Sequence, residues 1–185
     1  MTGLLGGTFN PPHYGHLEVA RAAERQFDLD ELVVLVAVRP GHKEVPLDGD
    51  TRLRLARAAF PDCEVEIDPY ERTVDMLKAG RWCDPLFLVG ADEFCDFLTW
   101  KDPEGVIARA RLGVATRPGY PRGRLDNVLR ELSQPERVEF FEIEPVPISS
   151  RDIRERVARG EPIDDLVPLA VAELIDALGL YRSAQ

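Results

Sequence analysis

The feature of this sequence that most restricts its fold is an alternation of short, mainly apolar runs with amphipathic segments of helical period. The apolar runs lie at 4–5, 32–38, 65–67, 85–89, 112–115 and 138–143. Runs without polar alternation are typical of strands buried on both faces, as in a parallel sheet. The sequence therefore predicts an α/β protein with a Rossmann-like, doubly wound parallel sheet, whose ligands bind beyond the carboxyl ends of the strands.

Amphipathic segments follow these runs and predict helices at 16–27, 51–60, 126–132, 150–158 and 165–178. The last two form a C-terminal helical segment, and Gly179 is a suitable residue to end it. Loops rich in proline and glycine join the elements, and no composition shift marks a domain boundary. We therefore expect a single domain over residues 1–185, a length that can bury a substantial core.

The bulk composition narrows the classes of partner. With 23 Lys and Arg against 33 Asp and Glu, the net charge is −10, which argues against nucleic acid as a partner but allows a small phosphate ligand. Cys63, Cys83 and Cys95 show no C-x-x-C spacing, so we expect free thiols. Without an apolar stretch of membrane length or a signal peptide, the expected location is the cytoplasm, with no membrane partner.

The first chemically informative element is the string G-G-T-F-N-P-P-H-Y-G-H, from Gly6 to His16. Gly6 and Gly7 let the backbone turn tightly and approach a ligand, and a helix starting near Tyr14 offers N–H groups and a positive dipole end to an anion. His13 and His16, three residues apart, can face the same side and donate to phosphate oxygens. From the residues alone, a glycine-proline turn with two surface histidines is the alternative.

A second element of this kind, I-S-S-R-D-I-R, starts at Ile148. Ser149 or Ser150 suits a helix N-cap, where hydroxyl and N–H groups can bind phosphate oxygens, and Arg154 offers a planar guanidinium one turn later. The alternative is a capped surface helix with an i, i+4 ion pair.

Taken together, these elements resemble the nucleotidylyltransferase superfamily, with its [T/S]-x-x-H-x-G-H and I-S-S-T-x-I-R motifs, the second carrying Arg151 in place of Thr. The middle of the chain narrows the resemblance to nicotinate-nucleotide adenylyltransferases. It contains G-A-D from Gly90 with F-x-x-W ending at Trp100, then R-P-G-Y from Arg117, and L-V-P and G-L-Y near the C-terminus. The resemblance implies that the helix starts near Tyr14 and Ser150 converge on one polyphosphate.

The resemblance implies adenylyl transfer from ATP to nicotinate mononucleotide, which yields nicotinate adenine dinucleotide and pyrophosphate. The acceptor's 5′-phosphate attacks the α-phosphorus in line, so no side chain acts as nucleophile. Mg²⁺ arrives with ATP, so no metal site in the protein is predicted. Transfer to nicotinamide mononucleotide, a pantetheine-phosphate adenylyltransferase or cytidylyltransferase activity, and a nucleotide-binding sensor stay open as alternatives. Members of the family often self-associate, so a homo-oligomer is compatible with the sequence.

The site residues that this resemblance implies fall into three groups. The predicted catalytic residues are His13, His16, Lys43 and Arg154. The predicted ATP-binding residues are Gly6, Gly7, Thr8, Phe9, His16, Gly90, Asp92, Ile148, Ser149, Ser150 and Arg154. The predicted acceptor-binding residues are Asn10, Lys43, Arg72, Thr73, Trp100 and Arg117.

Two of these residues have structural alternatives, and one segment departs from the family. The Asp92 carboxylate suits ribose hydroxyls, but it could also be a helix N-cap, alone or in addition to that role. Trp100 offers a face for a pyridine ring, but it could instead be a packing residue beside Phe94 and Phe97. Where the family usually has Ser-Tyr, this chain has Glu71-Arg72. Arg72 can pair with a carboxylate and Glu71 can disfavour one, so the acid and amide forms of the acceptor both stay open.

Overall fold

The computed structural model describes residues 1–39, 45 and 47–182 of the chain. Within them, the strands form one parallel sheet in the order β3-β2-β1-β4-β5-β6. The strands are β1 (Thr2–Gly7), β2 (Glu31–Ala37), β3 (Glu64–Asp68), β4 (Leu86–Gly90), β5 (Arg111–Thr116) and β6 (Val138–Glu142). The predicted doubly wound α/β fold is confirmed, because this is the strand order of a Rossmann-type sheet.

Helices follow the strands in sequence and end with the predicted C-terminal helical segment. They are α1 (Tyr14–Phe27), α2 (Gly49–Ala59), α3 (Thr73–Lys78), α4 (Ala91–Cys95), α5 (Pro103–Ile107), α6 (Arg122–Glu131), α7 (Ser150–Ala158) and α8 (Leu169–Ala177). The pattern did not predict α3, α4 and α5, because five or six residues are too few to display a helical period. The predicted start of the last helix at Asp165 is wrong. Pro168 stands at the N-cap of α8, since proline has no N–H for the helix interior.

Both faces of the sheet are covered. Leu5 and Val34 pack on one face under α1, α2, α7 and α8, whereas Leu4 and Val33 pack on the other face under α3 to α6. Neighbouring residues of a strand point to opposite faces, which explains why the four inner strands, β1, β2, β4 and β5, are apolar without alternation. No helix within the described ranges is long and apolar enough to cross a membrane.

The arrangement of the strands places a crevice at the centre of the sheet. The chain winds outward from β1 to β2 and β3 in one direction, and from β4 to β5 and β6 in the other. The connections after β1 and β4 therefore leave on opposite sides, and ligands of such sheets bind at this switch point. Gly7 and Gly90 end the two strands that flank it.

Candidate active site

A cavity of about 1280 Å³ opens at this switch point. Most of the predicted ATP-binding residues line it. These are Gly6, Gly7, Thr8, Phe9, His16, Gly90, Asp92, Ile148, Ser150 and Arg154. The predicted acceptor-binding residues Asn10, Arg72, Thr73, Trp100 and Arg117 line the same cavity, as does His13. The fold thus gathers segments from both ends and the middle of the chain around one space.

Two predicted residues stand apart from this set. The Ser149 hydroxyl accepts a hydrogen bond from the Asp152 N–H (3.2 Å) and donates to the Asp152 carboxylate (2.7 Å). Its side chain caps α7 and is absent from the described lining of the cavity. Lys43, together with the neighbouring His42, lies outside the described residues. Of the two adjacent serines, Ser150 is therefore the one whose side chain the structure brings to the cavity.

The phosphate loop, defined here as residues 6–16, depends on a glycine at position 7. A Cβ on Gly7 would lie 2.7 Å from Cζ of Phe9, a clash that a buried ring cannot relieve by moving outward. Phe9 adopts a left-handed backbone conformation with φ of 50°. Its ring packs against the His16 imidazole (5.1 Å between centroids) and against Phe60 (5.9 Å). Gly7 therefore allows the aromatic contact that supports His16.

The two histidines form a reciprocal cap at the start of α1. The Gly15 N–H donates to Nδ1 of His13 (3.1 Å), and the His13 N–H donates to Nδ1 of His16 (3.2 Å). Because each Nδ1 accepts a hydrogen bond, the proton of each neutral ring lies on Nε2. The cap thus fixes both the ring orientation and the tautomer, and it leaves an Nε2–H donor on each ring.

The surroundings keep both rings neutral. Burial lowers the pKa of His13 to about 4, and the nearby Asp152 carboxylate only partly opposes this effect. Burial also lowers the pKa of His16 well below its ordinary value of 6.5, and the adjacent His13 lowers it further. In the absence of a bound anion, the site offers two aligned neutral N–H donors rather than two imidazolium ions.

Lowering the pH from about 7 to about 5 is expected to destabilise the wild-type protein more than a His13→Asn/His16→Asn double variant. The native pKa of His13, about 4, lies below its unfolded value of 6.5, so the unfolded chain binds more protons in this window. The free energy of unfolding that His13 contributes by staying neutral is therefore fully present above pH 6.5 and is lost as the pH falls towards 4. Urea unfolding at both pH values measures the effect. An equal pH dependence in the two proteins would contradict the lowered pKa values.

The two predicted helix starts converge, as the resemblance implies. The Ser150 hydroxyl donates to the Pro11 carbonyl (2.8 Å), and the Arg154 guanidinium donates to the Asn10 carbonyl (2.7 Å). Arg154 thus has one nitrogen on the phosphate loop while its side chain also lines the cavity. The alternative reading of this helix also holds in part, because Ser149 caps it and Arg151 pairs with Glu155 at 2.9 Å.

The segment that follows β4 tests the structural alternatives for Asp92 and Trp100. Gly90 is the N-cap of α4, and Asp92 lies in its first turn, so the reading of Asp92 as an N-cap is wrong. Its carboxylate instead accepts a hydrogen bond from the Tyr120 hydroxyl (2.8 Å). Trp100 packs edge-on against Phe97 (5.3 Å) and still lines the cavity. The packing interpretation of Trp100 is therefore confirmed, and its contact with a pyridine ring stays a prediction.

At the acceptor end, Arg72 stands at the N-cap of α3 without capping it through its side chain. Its guanidinium pairs with Glu71 at 3.2 Å, and both residues line the cavity. With 38% of the Arg72 side chain and 56% of the Glu71 side chain exposed, this ion pair is weak and can exchange for another partner.

Three residues that contact the site residues or hold the phosphate loop were not predicted from the sequence. Tyr120 contacts Asp92, and the Tyr181 hydroxyl donates to Oδ1 of Asn10 (2.7 Å). Both tyrosines lie in motifs that the chain shares with the family, R-P-G-Y and G-L-Y, so the sequence did contain an indication of their importance. Arg52 is 1% exposed and holds the phosphate loop from behind. The sequence does not indicate that Arg52 is buried, because an arginine on an amphipathic helix usually lies on the solvated face.

Solved structures share this architecture. A Plasmodium falciparum nicotinic acid mononucleotide adenylyltransferase complexed with NaAD superposes with a TM-score of 0.75 at 16% identity, covering 97% of this chain and 96% of that one. The same enzyme complexed with APC gives a TM-score of 0.72. At such identity the likeness establishes the fold alone.

Sequence comparison identifies the class. Residues 4–156 match the cytidylyltransferase-like family, and together with the parallel sheet and its two converging helix starts this defines a nucleotidyltransferase. A curated protein of Moorella thermoacetica, named "Probable nicotinate-nucleotide adenylyltransferase", is 38% identical over 97% of this chain and 91% of its own length. A protein of Thermus thermophilus with the same name is 35% identical over 97% of this chain and 98% of its own. The chain therefore belongs to the nicotinate-nucleotide adenylyltransferase family.

Proposed function

We propose that this enzyme transfers the adenylyl group of ATP to nicotinate mononucleotide, forming nicotinate adenine dinucleotide and releasing pyrophosphate in NAD biosynthesis. The observation that carries the proposal is the convergence of two helix starts on one cavity. They are joined by the hydrogen bonds from Ser150 to Pro11 and from Arg154 to Asn10. The names of the relatives and the NaAD and APC complexes of the Plasmodium enzyme supply the substrate class.

On the ATP side, the proposed chemistry is positioning and charge stabilisation. The N–H groups at the start of α1 and the Nε2–H donors of His13 and His16 would contact the phosphates of MgATP, and Arg154 would contact the triphosphate from α7. As the acceptor phosphate attacks the α-phosphorus, the bond to pyrophosphate breaks and negative charge grows on its oxygens. Neutral N–H donors held in place beforehand stabilise that charge without reorganising.

The adenosine would lie against the end of β4. A Cβ on Gly90 would meet no atom of the protein within 4 Å, so its lack of a side chain leaves room at the cavity wall for a ligand. Asp92, two residues beyond the end of β4 and in the first turn of α4, would accept hydrogen bonds from ribose hydroxyls. Its second oxygen is suited to this, since Oδ1 already accepts from Tyr120.

The acceptor mononucleotide would occupy the remaining part of the cavity. Trp100 offers a ring face for the pyridine, and Arg72 a guanidinium for its carboxylate. Asn10, Thr73, Arg117 and the predicted Lys43 complete the proposed acceptor-binding set. Mg²⁺ is proposed to enter with ATP, held by phosphate oxygens and water. We further propose a cytoplasmic location, which the three free thiols support.

A pyrophosphate-release assay tests this function. Wild-type protein with MgATP and nicotinate mononucleotide is expected to release pyrophosphate and form the dinucleotide. CTP in place of ATP, and phosphopantetheine in place of the mononucleotide, are expected to react far more slowly. Faster turnover with either of them would favour the cytidylyltransferase or pantetheine-phosphate alternative. No pyrophosphate with any pair would favour the nucleotide-binding sensor.

Arg72→Gln is expected to raise KM for nicotinate mononucleotide about fivefold to tenfold while changing KM for nicotinamide mononucleotide little, because only the acid form has a carboxylate to pair. Glu71→Gln is expected to act in the opposite direction, since it frees Arg72 from its ion pair. Steady-state kinetics with both acceptors measure the effect. Arg81→Gln is the matched control, because Arg81 pairs with Glu64 and Glu66. An equal loss with both acceptors in Arg72→Gln would contradict acid recognition by Arg72.

A further inference from the structure

Arg52 on α2 is the one fully buried arginine among the residues that the structure describes, at 1% exposure. Its guanidinium donates to four backbone carbonyl oxygens: Leu47 (3.1 Å), Thr8 (3.0 Å), Ala37 (2.6 Å) and Val38 (3.2 Å). These carbonyls belong to three segments: the phosphate loop, the end of β2, and the entry into α2. A planar guanidinium has several donors in a fixed arrangement, so it can join all three at once.

Burying this charge without an ion-pair partner costs free energy. The same loss of water lowers the pKa of Arg52. The Asp48 carboxylate partly opposes this effect, but its hydrogen bonds go to Thr51, where it caps α2. A leucine or methionine would fill such a position at lower cost in an ordinary core. The tight loop leaves the carbonyl oxygen of Thr8 without a partner in the sheet. A donor is therefore needed at position 52, which an arginine supplies and an apolar side chain does not.

The contact at Thr8 lies directly before the residues that support His16. Phe9, the next residue, has the left-handed φ of 50°, a conformation that persists only where the surroundings impose it. Its ring lies between His16 and Phe60, and Phe60 immediately follows α2. Helix α2 and its C-cap residue therefore contact the phosphate loop at two points. Arg52 donates to the Thr8 carbonyl, and Phe60 packs against the ring of Phe9.

We propose that Arg52 is a positioning residue for adenylyl transfer, holding the phosphate loop against the end of β2 so that Phe9 and His16 keep their catalytic orientation. Arg52 would touch neither ATP nor the acceptor, since it is absent from the described lining of the cavity. This inference rests on the proposed function for its kinetic consequence, but the orientation of His16 is measurable without turnover.

Arg52→Lys keeps the charge but cannot bridge three segments, so we expect kcat to fall about tenfold to a hundredfold with KM for ATP changed less than threefold. We also expect the ring signals of His16 in NMR spectra to shift and its pKa to rise, as the loop opens to water. The chain has three histidines, so the signals can be assigned with single variants. Arg57→Lys is the matched control on the same helix, since Arg57 donates to the Val65 carbonyl at 3.4 Å away from the cavity.

The outcomes are distinguishable. A folded Arg52→Lys protein with wild-type kcat and unchanged His16 signals would overturn the proposal, and so would an equal loss of kcat in Arg57→Lys. If Arg52→Lys and Arg52→Met both fail to fold, Arg52 serves general stability and the proposal is again overturned. If the wild-type protein releases no pyrophosphate, the proposed function fails, while the histidine spectra still decide whether Arg52 positions His16.

Discussion

His16→Ala is expected to lower kcat about a hundredfold to a thousandfold, the size of effect seen when a preorganised hydrogen-bond donor to developing charge is removed. In the structure, burial keeps His16 neutral and its Nδ1 accepts from the His13 N–H, so Nε2–H is the donor that faces substrate in the proposed mechanism. Because this donor would act on charge that grows in the transition state, kcat should fall more than KM for ATP rises.

The alanine variant also removes half of the reciprocal cap at the start of α1, so a second variant is needed to separate the two losses. His16→Asn keeps an acceptor near the position of Nδ1 but has no group at the position of Nε2. We expect His16→Asn to recover much of the roughly 1 kcal/mol of helix-capping stability that alanine loses, yet to remain as inactive as His16→Ala. Pyrophosphate release and urea unfolding measure the two effects separately. Turnover within a few-fold of wild type in both variants would refute the role of His16.

Arg154→Ala is expected to lower kcat/KM for ATP about a hundredfold, since it removes both the proposed charge-assisted contact to the triphosphate and the hydrogen bond to the Asn10 carbonyl. The kcat/KM of Arg154→Lys for ATP should lie between those of the wild-type protein and Arg154→Ala. A single ammonium keeps the charge, but it cannot serve the Asn10 carbonyl and a phosphate with the geometry of a guanidinium. Initial rates at varied MgATP, with the mononucleotide saturating, measure the loss.

Arg156→Ala provides the control for Arg154, because it removes an arginine from the same helix without touching the described lining of the cavity. Arg156 lies 3.7 Å from the exposed Asp165 carboxylate, so its loss should change kcat/KM less than about twofold. Comparable losses in the two variants would mean that the net charge of α7, rather than the position of Arg154, attracts the nucleotide. A normal kcat/KM in Arg154→Ala would remove Arg154 from the proposed mechanism.

Much of the fold and of the phosphate site could be predicted because the relevant signals are local. Apolar runs indicate buried strands wherever they lie in the sequence, and the strand boundaries differ from the predicted ones by only one or two residues. The residues from Gly6 to His16 act within a single turn and the start of one helix, so their spacing already carries the geometry. Helices of five or six residues, such as α3 and α4, escaped detection because their formation depends on tertiary contacts.

The residues that could not be predicted are those whose role depends on a distant partner. Nothing near Arg52 in sequence indicates that the carbonyls of Thr8 and Ala37 will surround it, 44 and 15 residues away. Ser149 and Ser150 are equivalent in the sequence, and only the approach of Pro11 gives Ser150 a contact with the phosphate loop. Likewise, the sequence allowed Asp92 to be a helix cap, and only the structure shows that Gly90 occupies the N-cap of α4 and that Asp92 accepts a hydrogen bond from Tyr120, 28 residues away.

The α/β class, the two phosphate-type elements and the family resemblance could be inferred from the amino-acid order alone, since they follow from periodicity and short-range spacing. Which donors share one cavity depends on how distant segments pack together. The Ser150–Pro11 and Arg154–Asn10 hydrogen bonds join residues 139 and 144 positions apart. The neutrality of the two histidines also depends on that packing, because a pKa responds to burial, and burial exists only once the chain has packed.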